Sequence, residues 1–170
     1  IYGKGAISDF ASVDNDWYHD TKILKVKIAN GITSIGADAF YDCEKVKSID
    51  IPKSVKSIKV GAFGGCKSLK SINIPEGVSI INASVFSDCK NLTSINIPNT
   101  VKSIDLYAFL ECNNLKSISI SKNLTSISEG AFSGCSKLKN VNYKGTIAQW
   151  KRIKISTRSN SNLKKNIICC

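Results

Sequence analysis

The chain has 170 residues, 42% of them hydrophobic, with 24 Lys or Arg against 13 Asp or Glu and a formal charge of +11. That length can bury one core without staples, three prolines exclude collagen and proline-rich linkers, and no apolar run is long enough to span a membrane. No cationic segment followed by an apolar stretch opens the sequence, so any secretion signal is expected to have been removed or never present.

A repeat organises the elements. Cys43, Cys66, Cys89, Cys112 and Cys135 stand 23 residues apart, and a fixed period of roughly 20–29 residues marks a solenoid of stacked coils. In chain order, residues 1–30 are predicted to be an N-terminal cap, with Phe10 and Trp17 covering the open end of the core. Within it, Ile23, Val26 and Ile28 match columns that recur one period later, so 21–30 reads as a half coil.

Residues 31–145 form five rows without insertion: GITSIGADAFYDCEKVKSIDIPK, SVKSIKVGAFGGCKSLKSINIPE, GVSIINASVFSDCKNLTSINIPN, TVKSIDLYAFLECNNLKSISISK and NLTSISEGAFSGCSKLKNVNYKG. Ile35, Ile58, Ile81, Ile104 and Ile127 share one column, and Phe40, Phe63, Phe86, Phe109 and Phe132 share another. The tract from the Val46/Leu69 column onward alternates apolar residues with Ser, Asn or Asp, the pattern of a half-buried strand. Stacked rows would place these strands in a parallel sheet. The return path at Ala-Phe is predicted as a short strand and a single helical or 3₁₀ turn on the opposite wall. Pro52, Pro75 and Pro98 end the main strands, because proline donates nothing to the ladder. Residues 146–170 are predicted to close the core: Thr146 caps a short helix TIAQWKRI carrying Trp150 and Ile153, a Ser/Asn-rich loop spans 156–163, and NIICC makes a strand.

The phased motif I-x-x-I-x-x-x-A-F-x-x-C-x-x-L-x-x-I-x-I-P resembles the BspA-like leucine-rich repeats, the treponemal class of that superfamily. The likeness covers all five rows, and the flanks IYGKGAISDF…DW and KGTIAQWKRIKI are similar to the family's two ends. Val85 in place of Ala, Ser121 and Lys144 in place of Pro, and Tyr143 in place of the last Ile are small departures. The resemblance implies a leucine-rich-repeat solenoid and a non-enzymatic, cell-surface or secreted adhesion domain of the kind found in bacteria and some mucosal protozoa. It also implies host or extracellular-matrix proteins as ligands. The family's function is carried by no signature residue, so none transfers.

Chemistry-bearing residues are few. The cysteine file is expected to be buried thiols acting as small hydrophobes, since side chains in single file neither converge on a metal nor pair as five. Cys169 and Cys170 stand apart, with Cys170 open to oxidation. His19 is the only histidine and has no nucleophile elbow near it. Asp14, Asp16 and Asp20 lack the glycine and distal glutamate of a calcium loop. No catalytic residue, metal or cofactor is therefore expected. Asn82, Asn91 and Asn123 head N-x-S/T sequons, which matter only in a eukaryotic source.

Charge divides unevenly: residues 1–20 carry −3, 21–145 carry +8 and 146–170 carry +6. Salt-dependent attraction to polyanions follows. Two arginines among the 24 basic residues argue against nucleic acid and for anionic glycans, unless the lysines serve only solubility. The outward file Asp50, Asn73, Asn96, Ser119 and Asn142 is polar and nearly neutral, and as a concave face it lacks the aromatic and Arg anchors of a protein hot spot. Apolar departures at otherwise polar columns are the better candidates for protein contact: Tyr41, Ile80, Leu106, Tyr107 and Leu110. Tyr107 and Leu110 share a row and form either an exposed patch or half-buried packing. The expected partner is a protein ligand or an anionic glycan, the expected state a monomer, and a passive spacer is the remaining alternative.

Overall fold

The computed structural model describes residues 4–9, 22–160, 163 and 167–169. Phe10, Trp17, His19, Asp14, Asp16, Asp20 and Cys170 lie outside the described residues.

The repeat folds into coils with two parallel-stranded walls. One wall runs β1 (Gly5–Ala6), β3 (Ile32–Ile35) and β5 (Ser57–Ile58), then β6 (Ile80–Ile81), β8 (Ser103–Ile104), β10 (Ser126–Ile127) and β12 (Lys154–Ile155). The other pairs β2 (Lys25–Lys27) with β4 (Ser48–Asp50). It resumes with β7 (Ser94–Asn96), β9 (Ser117–Ile120), β11 (Asn140–Tyr143) and β13 (Ile167–Cys169). Every pairing is parallel, and equivalent residues pair 23 apart, as in Ser34 with Ser57 and Ile95 with Ile118. The second wall is interrupted at 71–75, where coil two carries no strand.

Each wall buries one residue column and exposes the next, which is why the strands alternate. Between the walls the phenylalanines form a continuous stack, with ring centroids 5.0–5.8 Å apart and planes within 16°. All five rings are buried. Offset stacking of this kind adds to the burial term for each ring.

The cysteine file differs from the sequence expectation in one respect: its thiols also act as donors. Cys66, Cys89, Cys112 and Cys135 Sγ donate to the carbonyls of Phe40, Phe63, Phe86 and Phe109 in the preceding coil at 3.1–3.4 Å. Each of these carbonyls also accepts a backbone N–H within its own coil, as Phe40 O does from Cys43 at 3.3 Å. The thiol thus fills the second lone pair of a buried carbonyl.

The Ala-Phe segment is not a continuous helix. It is a chain of turns closed by i to i+3 bonds, such as Tyr41 N–H to Asp38 O at 3.0 Å. Two positions in every row have positive φ, and they interrupt any helix. The eighth position holds Asp38, Gly61, Ser84, Tyr107 and Gly130, with φ from 52° to 63°. The twelfth holds Asp42, Gly65, Asp88, Glu111 and Gly134, with φ from 54° to 74°.

At the C-terminal end, α1 (Ile147–Trp150) follows Thr146, whose side chain accepts from Gln149 N–H in a capping box. Trp150 packs edge-on against Tyr143, centroids 5.2 Å apart, so the Tyr departure in the last row is absorbed by the helix. Asn160 ends the stack. In the coils, each Phe N–H donates to the next coil's backbone, as Phe109 does to Ala131 O at 2.8 Å. Phe132 donates instead to a side chain, Asn160 Oδ1 at 3.1 Å, while Asn160 Nδ2 donates to Ser128 O and Ser156 O. A buried amide side chain thus stands in for the backbone carbonyl that the other rows supply.

Candidate functional site

The two walls and their turns present two surface strips of different chemistry. Across 33–38, 56–61, 79–84, 102–107 and 125–130, three lysines are matched by three acids. Across 45–50, 68–73, 91–96, 114–119 and 137–142, six lysines face one acid, Asp50.

The first strip carries the apolar candidates. Ile80, in β6, is 40% exposed; Leu106 is 42% and Tyr107 37% exposed. Tyr41 and Leu110 are half-buried and occupy the turns beside them. Leu110 N–H donates to Tyr107 O at 3.0 Å, so this pair shares one turn. The structure adds Val60, 48% exposed and in the same file as Leu106. Its signal in the sequence is a column reading Ala37, Val60, Ala83, Leu106, Glu129, in which two large apolar residues alternate with alanine.

Tyr107 adopts φ +55°. A bulky side chain in this region costs roughly 1–2 kcal/mol, because Cβ crowds the following carbonyl. Its ring is accommodated by Gly130, the same position in the next coil, where any Cβ would collide with it. Tyr41 uses the same device on Gly64, where a Cβ would lie 2.9 Å from its ring.

The second strip includes the polar file. Asp50, Asn73 and Asn96 are exposed, and Ser119 and Asn142 half-buried. Asp50 pairs with Lys25 at 3.7 Å. Where the wall is interrupted, a cavity of about 300 Å³ opens, lined by residues including Lys27, Asp50, Pro52 and Asn73. A second depression of about 400 Å³ lies at the C-terminal end between Trp150, Ile153, Ile155 and Ile167.

The buried cysteines between the strips are held as neutral thiols. Burial pushes the Cys66 and Cys89 thiols well above the ordinary range, and Cys112 is raised by the adjoining Cys135 thiol and by burial. All six described cysteines are free thiols. Among the described residues no group of three or more His, Cys, Asp or Glu could hold a metal ion, and no helix is long and apolar enough to cross a membrane. At the N-terminal end, Asp9 accepts from Ala37 N–H at 2.8 Å and pairs with Lys59 at 2.9 Å. These contacts hold its carboxyl below the usual range. Asp38 beside it is raised by burial and by the Asp9 charge.

Comparison with known proteins agrees with this architecture. A leucine rich cell surface protein from Faecalibacterium prausnitzii A2-165 superposes with a TM-score of 0.76 at 38% identity, covering 78% of this chain and 35% of that one. This chain therefore spans about a third of that relative's length. The leucine-rich repeat protein TpLRR of T. pallidum gives a TM-score of 0.66 at 23% identity over 91% of this chain and 79% of its own. The pneumococcal vaccine antigen PcpA gives 0.65 at 18% over 86% of this chain and 40% of its own. The last two likenesses speak for the fold alone. No curated protein matches. The model of the BspA type leucine rich repeat region matches six copies over residues 33–164. The chain belongs to the BspA-type leucine-rich repeat family, whose members are generally non-enzymatic binding proteins, surface-associated or secreted.

Proposed function

We propose that this chain is a non-enzymatic protein-binding module of a cell-surface or secreted adhesin, and that Val60, Ile80, Leu106 and Tyr107 are its contact strip. Tyr41 and Leu110 flank the strip. Its ligand is an extracellular, matrix-type protein. The observation that carries the reading is Tyr107. It accepts positive φ at a position where Asp38, Gly61, Ser84 and Gly130 serve the same turn in the other rows. The fold therefore does not require tyrosine there, and strain kept at a half-exposed aromatic is a mark of function. Tyrosine is also among the residues that dominate protein interfaces. The F. prausnitzii relative is described as a cell surface protein, which agrees with this setting. The division into a cap over 1–30, rows over 31–145 and a cap over 146–170 is part of the same proposal, with the caps keeping the strip-bearing rows soluble.

Immobilised extracellular-matrix proteins at physiological salt test this reading. The expected result is saturable binding to at least one of them. It should weaken by about 30-fold in Leu106→Glu or Tyr107→Asn, the loss of one hot spot of ~2 kcal/mol. Asparagine tolerates the left-handed conformation, so Tyr107→Asn should fold at least as stably as the parent. Absence of binding to every protein, or binding untouched by both substitutions, would overturn the proposal.

A further inference from the structure

The geometry points to a second binding surface on the opposite strip, a track for a linear anionic polysaccharide. Lys47, Lys70, Lys116 and Lys139 occupy one file, completed by Thr93, and all five residues are exposed. Backbone bonds tie the file from Lys70 onward: Thr93 N–H to Lys70 O at 3.1 Å, Lys116 N–H to Thr93 O at 2.9 Å, and Lys139 N–H to Lys116 O at 3.1 Å. Steps of about 4.8 Å therefore spread four ammonium groups over roughly 19 Å along the solenoid axis. Lys45 and Lys137 extend the charge at both ends, and Lys137 Nζ donates to Asn114 Oδ1 at 2.7 Å.

The ion-paired lysines among the described residues all lie outside this file. Lys59 pairs with Asp9, Lys67 with Glu44 and Lys90 with Asp88. Among the described residues no acid lies within ion-pair distance of Lys47, Lys70, Lys116 or Lys139. Beside the file run Ser48, Ser71, Ser94, Ser117 and Asn140, then the outer file of Asp50, Asn73, Asn96, Ser119 and Asn142. These are hydroxyls and amides, suited to exchanging hydrogen bonds with sugar hydroxyls.

The partner this arrangement fits is a chain carrying a sulfate or carboxylate at regular intervals and hydroxyls between them. Single-stranded nucleic acid fits less well, since this strip holds no aromatic side chain for base stacking and no arginine for paired phosphate contacts. The surface is distinct from the apolar strip, so the inference does not depend on the protein-binding reading.

The test uses the intact chain with heparin, uncharged dextran and a thymidine oligonucleotide as probes across a salt series. The expected result is heparin binding without dextran binding, and a log–log salt slope near −3, as four lysine contacts each release ~0.7 of a condensed counterion from the polyanion. Changing Lys47, Lys70, Lys116 and Lys139 to Gln should weaken heparin binding at least tenfold. Changing Lys53, Lys56, Lys102 and Lys151 to Gln alters net charge equally and should cost less than threefold. All eight side chains are exposed, so both sets should fold, which circular dichroism would check. Equal loss in the two sets would reduce the effect to net charge and overturn the proposal. So would absence of heparin binding, or oligonucleotide binding as tight as heparin.

Discussion

The two strips share one backbone period and differ in nearly everything at their surface. The strip of β5, β6, β8 and the turns after them is electrically balanced and interrupted by Val60, Ile80, Leu106 and Tyr107. The strip of β4, β7, β9 and β11 is lysine-rich, with uniformly small polar side chains. The contrast separates two demands on a solenoid. Core columns must match in every row, because each row packs on the next. Surface columns are free, and here the freedom is used differently on the two sides.

The largest expected effect breaks both strips together. Phe86 is the middle ring of the stack and touches two neighbours at 5.8 and 5.4 Å. Phe86→Ala should lower stability by about 3–5 kcal/mol, measured by chemical denaturation, because coils on both sides lose a packing partner. An effect below 1 kcal/mol would show that the stack is not the frame that positions the strips.

A smaller and one-sided effect is expected at Gly130. Its φ of +59° and the Tyr107 ring above it leave no room for a methyl group. Gly130→Ala should cost about 1–3 kcal/mol and disturb the apolar strip only, leaving heparin binding intact. Adding Tyr107→Gly to that variant should recover part of the loss. Strict additivity would contradict the contact, since residues that touch show interaction energies.

The smallest expected effect is electrostatic. Asp9 has a depressed pKa in the folded state, so its contribution is present above the ordinary carboxylate value and lost as pH falls through the folded one. Asp9→Asn keeps an acceptor for Ala37 N–H and removes the attraction to Lys59. Its melting temperature should therefore lie below the parent's at neutral pH, and the two should converge on acidification. Asp38 runs the other way: its raised pKa means that acid relieves a small destabilisation, which softens the parent's acid limb.

How far the sequence reading reached follows from which columns repeat. The Ile, Phe, Cys and Leu columns are legible because burial imposes the same chemistry in every row, and each of those residues is buried. Proline carbonyls closing the next turn, as Pro52 O does for Val55 N–H at 3.1 Å, follow from the same regularity. The left-handed positions were harder to read. Gly61 and Gly130 signal one, but Ser84 and Tyr107 in the same column obscure it, because neither residue type favours positive φ as glycine does. Val60 was missed since valine in a strand-flanking column reads as core, and only the solvent exposure distinguishes it. The donor role of the thiols depends on the coil-to-coil offset, which no single row contains. Asn160 sits in a polar loop, and nothing in that composition marks it as the buried partner of Phe132. The candidate contact residues were legible as departures from their columns; the lysine file, interrupted at Thr93, was legible as a column, while its freedom from ion pairs was not.

The central claim is that the two strips bind independently, and crossed variants measure it most directly. Leu106→Glu and the Lys47, Lys70, Lys116, Lys139→Gln set would each be assayed at physiological salt for binding to the matrix-protein panel and to heparin. The account predicts that the first variant loses the protein and keeps heparin, while the second loses heparin and keeps the protein. Parallel loss of both ligands in either variant would contradict it, and would mean that the molecule has one surface where two are described.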